Sequence, residues 1–424
     1  MDTIFALSSG RPPAAISVIR ISGPAAHAAG RQVAGTLPEP RMALVRELRR
    51  PGSSELLDEA LVLRFDGPAS STGEDIVEFQ CHGSRAVVDA VLSTLGALGG
   101  LRLAHPGEFT RRAFENGRID LTEAEGLADL LEAETESQRK AALALAEGGL
   151  RAQISQWQDK LLDLSAAAER SIDYDEEDSS IDSGLADGCS TLASELLDWL
   201  SRPRVEPLKD GVRVVVAGPP NAGKSSLLNM IAGEERAIVT EVPGTTRDHI
   251  EVPLSLAGLP ILLTDTAGLR NASDRVEAIG VQRASALVEV ADVLIWLGEL
   301  SDAPAHSRLI TVHSKADLPG RGLAPSGSIP VSSKTGEGLK ALLECVGEAA
   351  KGLLPREGTI ALNRRQASNI SDAEAALSDA AKSADIVLVA EDLRVARTAF
   401  DRLTGRAGVE DVLDSLFGRF CLGK

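Results

Sequence analysis

The stretch Gly218-Pro219-Pro220-Asn221-Ala222-Gly223-Lys224-Ser225 sets glycines, a lysine and a hydroxyl at the spacing that wraps a polyphosphate. Glycines let backbone N–H groups curl around phosphate oxygens, Lys224 reaches the β and γ oxygens, and Ser225 can ligate Mg²⁺. Downstream, Asp265-Thr266-Ala267-Gly268 offers a carboxylate for the Mg²⁺ shell and a glycine that meets the γ-phosphate. Between them, Gly244-Thr245-Thr246-Arg247-Asp248 supplies a threonine hydroxyl suited to Mg²⁺ in a segment that can order around the γ-phosphate. In this order and spacing it is the first switch loop of a GTPase. Asp317, in Ser314-Lys315-Ala316-Asp317, can accept two N–H bonds from guanine and finds no matching pair on adenine, which favours GTP over ATP. Ser314 stands where the usual motif has Asn, so weakened affinity with guanine preference retained is expected. Ser332-Ser333-Lys334 matches the loop that backs the base. Leu269 occupies the place of a water-orienting glutamine and cannot align a water, so another residue or a partner must do so.

These groups need strands that end where they begin. The apolar run Val212–Ala217 precedes the first motif and the helical Ser226–Ile231 follows it, while Ile261–Leu263 and Leu309–Val312 lead into Asp265 and toward Asp317. That alternation predicts a doubly wound α/β domain over 211–346, with its ligand at the carboxyl ends of the strands. Residues 1–118 alternate short apolar runs with Gly/Pro turns and one helix at Arg85–Leu98, an α/β domain. Residues 119–210 turn to Ala, Leu, Glu and Arg at helical spacing, and 347–424 return to it. The second α/β domain is thus inserted in a helical one. The acidic stretch Asp173–Asp182 reads as a solvated connection between helices.

The chain has 424 residues, 43% hydrophobic and 25% charged, which excludes wholesale disorder and a small disulfide scaffold. With 8 Phe, 3 Trp and 1 Tyr, the core must be aliphatic, which disfavours a small all-β sandwich. A net charge of −18 repels nucleic acid at long range, so a nucleic-acid partner must find a local basic patch. Arg41, Arg46, Arg49 and Arg50, or Arg111 and Arg112, are candidates for one. No apolar run reaches the roughly 18 residues of a membrane span, and the N-terminus has no leader pattern, so a cytoplasmic protein is expected. Cys81, Cys189, Cys345 and Cys421 form no metal or disulfide spacing, and the final tetrapeptide fails a prenylation motif at Gly423 and Lys424.

Asp2-Thr3-Ile4, Arg20 to Gly23, Glu78 to Gly83, Pro106 to Thr110, Asn116 to Asp120, the nucleotide motifs, the run from Asp265 through Arg270 to Glu277, and the terminal Cys421-Leu-Gly-Lys424 together resemble the bacterial tRNA-modification GTPase family MnmE, also called TrmE. The resemblance spans the chain. It implies an N-terminal dimerisation and tetrahydrofolate-binding domain (1–118), a helical domain in two halves (119–210 and 347–424) and an inserted Ras-like P-loop GTPase domain (211–346). It implies K⁺ held by Asn221, Thr240, Val242 and Thr245, in a loop where Glu241, Pro243, Gly244 and Thr246 also meet the nucleotide. Glu277 matches the water-orienting glutamate, and Arg270 supports the switch region. Arg20, Glu78, Arg118 and Lys424 match the folate contacts, with Arg118 where lysine is usual, and Cys421 would be a general acid or nucleophile. The implied activity is K⁺-dependent GTP hydrolysis by a homodimer that, with the FAD-dependent partner MnmG, installs an aminomethyl or carboxymethylaminomethyl group at C5 of the wobble uridine of certain tRNAs. The one-carbon unit would come from a 5-formyl or methylene tetrahydrofolate.

Two other readings compete. An Era-like ribosome-assembly GTPase shares the nucleotide motifs but lacks the C-terminal tetrapeptide and the folate-like domain. A folate-dependent one-carbon transferase with a regulatory nucleotide domain and no tRNA substrate suits the sequence pI of 4.9.

Overall fold

The computed structural model describes residues 2–53, 55–174, 183–234, 236–237, 251–265, 286–321, 323–356, 358–407, 410–421 and 423–424. Two units emerge: Met1–Ala128 with Asp401–Lys424, and Asp129–Phe400.

The first unit is built on strands β1 (Thr3–Leu7), β2 (Ile16–Ser22), β3 (Ala43–Arg49), β4 (Leu56–Phe65), β5 (Ile76–His82) and β6 (Leu101–Leu103), in the order β3-β4-β5-β2-β1-β6. Neighbours are antiparallel except β1 and β6. Alternation along β2 and β5 sends Ile19, Ile21, Val77 and Phe79 into the core against Val91 and Leu95 of helix α2 (Arg85–Gly96), leaving Arg20 and Glu78 on the other face. Ladder register then sets Arg20 opposite Glu78. Helix α1 (Ala26–Ala34) covers the core beside α2, and helix α3 (Glu108–Glu115) follows β6. The apolar runs Ile16–Ile21, Leu61–Phe65 and Ile76–Phe79 mark β2, β4 and β5, and β1, β3 and β6 stand outside them. β3 is an edge strand whose residues are mostly exposed, so it carries little apolar signature.

The expected basic patches are not free. Arg49 pairs with Glu47, Arg50 with Glu55, Arg46 donates to the Thr36 carbonyl and Arg41 to that of Ala69. Arg111 meets Glu115 and Asp414, and buried Arg112 meets Asp2, Glu74 and Glu108.

In the second unit, helices α5 (Glu136–Ala146), α6 (Gly149–Tyr174), α7 (Ser183–Ser201) and α8 (Glu206–Asp210) precede a seven-stranded sheet. Its strands are β7 (Val212–Ala217), β8 (Arg236–Ala237), β9 (Glu251–Leu256), β10 (Leu259–Asp265), β11 (Val293–Trp296), β12 (Leu309–Ser314) and β13 (Ile329–Val331), ordered β13-β12-β11-β7-β10-β9-β8. The five from β13 to β10 are parallel, and β9 and β8 pair antiparallel at one edge. Val212, Val214 and Val216 pack beneath α9 (Lys224–Glu234) and α10 (Leu339–Lys351), while Val215 and Ala217 meet Leu287 and Val288 on the opposite face. Burial on both faces is why β7 is almost continuously apolar. Past the sheet, α11 (Arg364–Ala380) packs on α7, so helices from before and after the α/β segment join. Trp157 of α6 sits in their core, stacked on Phe400 at 5.9 Å and edge-on to Trp199 at 5.4 Å. Helices α4 (Leu121–Glu132), α12 (Ile386–Thr404) and α13 (Glu410–Gly418) complete the described set.

The cysteines are all free, Cys81 and Cys189 buried, Cys345 and Cys421 exposed. Among the described residues, no helix is long and apolar enough to cross a membrane.

Candidate active site

β7 ends at the centre of its sheet, and the chain must turn at once to start α9. Gly218 (φ +149°), Asn221 (φ +61°) and Gly223 (φ +97°) make that turn, in a loop that opens on a 560 Å³ cavity lined by Asn221, Gly223, Lys224, Ser225, Ser226 and Lys315 among others. Ala222 packs inward against the core. Lys224 is buried, its Nζ donating to the carbonyls of Gly218 and Pro219 at 2.9 Å each. Parallel pairing of β10 with β7 brings Asp265 level with Val216, and Ser225 Oγ donates to Asp265 Oδ2 at 2.6 Å. A hydroxyl and a buried carboxylate thus meet below the loop, a pair of hard oxygen donors of the kind a Mg²⁺ ion takes.

The guanine-recognition candidates follow β12. Ser314 is its buried last residue, and Arg321 Nε donates to the Ser314 carbonyl at 3.1 Å. Lys315 adopts φ +61° and sends Nζ to the Asn221 carbonyl at 2.7 Å, tying this loop to the phosphate loop. Ala316 N–H donates to the Val331 carbonyl. Fully buried Ser332 donates through Oγ to Asp317 Oδ1 at 2.7 Å and accepts the Lys334 and Thr335 N–H groups, so the 332–334 loop orients Asp317 directly, with Ser333 between. Nothing in the local pattern had singled out Arg321; its link to Ser314 is made only by the fold.

A second constellation lies in the first unit. Arg20 Nε donates to Glu78 Oε1 at 2.8 Å, and its guanidinium lies 5.6 Å from the centre of the Phe109 ring. Arg20, Arg118 and Lys424 line one cavity of 440 Å³ with Ser70, Thr72 and Phe109. Three cations and an aromatic face suit an anionic, ring-bearing ligand. The tail reaches this cavity because Gly423, at φ +91°, lies flat on β1, where a Cβ would come within 2.0 Å of the Leu7 carbonyl oxygen. Cys421 is exposed, its carbonyl accepting the Lys424 N–H. Other motif residues do structural work: Asn116 donates to the Thr72 carbonyl, and Asp120 caps α4 through the Glu123 N–H. Glu108 anchors Arg102 and Arg112. Burial would raise its pKa, but bonds from Arg102, the His105 N–H and Arg112 outweigh this and hold it at about 2.

Residues 121–421 match the family model described as the MnmE helical domain, and residues 3–118 the one described as the GTP-binding protein TrmE N-terminus. The tRNA modification GTPase MnmE of Erythrobacter litoralis is 51% identical, covering 100% of both chains. That of Rhizorhabdus wittichii is 52% identical over 100% of this chain and 97% of its own. The chain belongs to the MnmE family of tRNA modification GTPases. Among solved structures, the G domain of the T. maritima FeoB iron transporter is 27% identical, covering 33% of this chain and 98% of its own, with a TM-score of 0.24.

Within this MnmE chain, the fold brings together Asn221 to Ser226 with Asp265 and Lys315, joins Asp317 to Ser332, and gathers Arg20, Arg118 and Lys424 at one cavity with Glu78 bonded to Arg20. Thr240 to Thr246, Thr266, Ala267, Gly268, Arg270 and Glu277 lie outside the described residues.

Proposed function

We propose that the chain is a cytoplasmic, homodimeric, K⁺-dependent GTPase that hydrolyses GTP to GDP. With the FAD-dependent partner MnmG it installs the (carboxymethyl)aminomethyl group at C5 of the wobble uridine (U34) of certain tRNAs, using the one-carbon unit of a tetrahydrofolate. The observation that carries the reading is the Ser225–Asp265 contact beneath a lysine-bearing phosphate loop, in a chain of the MnmE family. We divide the labour as 1–118 for dimerisation and folate, 211–346 for GTP, and 119–210 with 347–424 as the helical frame.

GTP phosphates take over the loop N–H groups and the Lys224 ammonium, which exchanges the Gly218 and Pro219 carbonyls for β and γ oxygens. Ser225, Thr246 and the Asp265 shell would hold Mg²⁺, which would supply charge neutralisation for the phosphate oxygens. Asp317, oriented by Ser332, accepts the guanine N–H pair. Glu277 orients the attacking water that Leu269 cannot, and Arg270 steadies the switch. Asn221, Thr240, Val242 and Thr245 would hold K⁺, which would supply positive charge that favours phosphoryl transfer. Arg20, Arg118 and Lys424 would take the folate carboxylates and Glu78 the pterin N–H groups, and Cys421 would act as general acid or nucleophile.

The test is GTP turnover by the purified protein in K⁺ against Na⁺ at equal ionic strength, with Glu277→Ala in parallel. Strong K⁺ acceleration, and a variant that binds GTP without hydrolysing it, are expected; equal slow rates in both salts reject the K⁺ mechanism. Deletion of the gene should remove the wobble modification, an outcome an assembly GTPase would not give.

A further inference from the structure

A cavity of 610 Å³ opens beside the points where the chain enters and leaves its α/β segment, lined by Arg204, Arg364, Glu206, Ser368, Ser371 and Leu200. Two hydrogen bonds pin its walls together: Val205 N–H donates to the Leu362 carbonyl at 3.2 Å, and Arg364 N–H to Glu206 Oε1 at 2.6 Å. Arg364, Ser368 and Ser371 stand at i, i+4 and i+7 on α11, so they share one helix face, and Arg204 is brought to them by the linker before α8. Arg204 Nη1 is buried with no hydrogen-bond partner, and neither guanidinium forms an ion pair among the described residues. Glu206, the one carboxylate on the wall, is already engaged by a backbone N–H. Arg204 and Arg364 thus place two unpaired positive charges on the cavity wall, with the one nearby carboxylate held by a backbone N–H, an arrangement that suits an anion.

We propose that this cavity is a phosphate-binding site that takes a phosphodiester of the tRNA backbone. The chain carries a net charge of −18, and the arginines that composition marked as a basic patch are consumed by internal acids and carbonyls. A tRNA partner therefore has to be met by local, uncompensated cations, and this pair is one such site with hydroxyl donors alongside. Two guanidiniums with two hydroxyls supply charge-assisted and neutral donors of the kind that hold phosphate oxygens. The proposal rests on the tRNA reading above. Inorganic phosphate shares the chemistry, so the experiment separates the two sources.

Arg204→Gln and Arg364→Gln keep length and hydrogen-bonding capacity while removing charge. Binding of labelled tRNA to the full-length protein is measured by anisotropy across a KCl series, with Arg213→Gln, an exposed arginine of β7 outside the cavity, as control. Inorganic phosphate is titrated separately by equilibrium dialysis. The expected result is tRNA affinity lowered about ten-fold in each cavity variant, with the slope of log K against log salt reduced by about one, and with the control and GDP affinity unchanged. Unchanged affinity and slope in both cavity variants overturn the site while leaving the tRNA reading standing, and phosphate binding lost without any effect on tRNA overturns the RNA source. Failure of the unmodified protein to bind tRNA at all overturns both.

Discussion

Replacing Gly423 with alanine should lift the C-terminal lysine out of the Arg20–Arg118 cavity without unfolding the domain. Gly423 sits at φ +91°, where an L side chain adds about 1–2 kcal/mol. Its new Cβ would fall 2.0 Å from the Leu7 carbonyl oxygen and 2.7 Å from Ser8 Cα. Ordinary contact is about 3.5 Å, so something must retreat by about 1.5 Å. β1 resists, because Leu7 is paired with Ile19 of β2 and the Ser8 N–H donates to the Val18 carbonyl. Gly423 and Lys424 belong to no strand and move instead, taking the lysine out of the cavity. Losing one charge-assisted contact is worth about 1.5–3 kcal/mol, so affinity for an anionic folate should fall about ten- to hundred-fold. Calorimetric titration with 5-formyltetrahydrofolate should give the same weakened affinity for Gly423→Ala as for a chain lacking Lys424, with a melting temperature lowered by only a few degrees. An alanine variant that binds folate as tightly as the parent would refute the argument, and so would one that fails to fold.

Ser225→Ala should cut GTP turnover at least about hundred-fold in a phosphate-release assay, while stability changes by about 1 kcal/mol, since only the bond to Asp265 is lost from the fold. Trp157→Ala empties a wholly buried site between Trp199 and Phe400 and should cost about 3–5 kcal/mol in urea unfolding. The Glu108 carboxyl is held at about 2 against an ordinary 4.5, so its stabilising contribution is fully present above pH 4.5 and is lost as pH falls toward 2. Glu108→Gln should therefore lower stability at neutral pH by about 2–3 kcal/mol and flatten the acid limb of the stability curve in that window.

Local pattern was enough for the nucleotide loop. Gly218, Gly223, Lys224 and Ser225 are neighbours in sequence and act as one backbone turn between a strand and a helix, so their order already states their chemistry. The apolar run of β7 likewise announced a strand buried on both faces. Short or exposed strands were less legible: β3 and β6 owe their existence to partners across the sheet, not to their own composition. Charge was the least legible of all. Arg112 and Arg204 look alike in sequence, yet one is neutralised by Asp2, Glu74 and Glu108 and the other has a buried nitrogen with no partner. The chemical inventory and the family were legible from residue order alone, because motifs are runs of adjacent residues. Which cations are spent on internal acids, why glycine suits position 423, and that Lys424 shares a cavity with Arg20 became visible only in the folded chain, because each depends on which side chains and backbone segments meet in space.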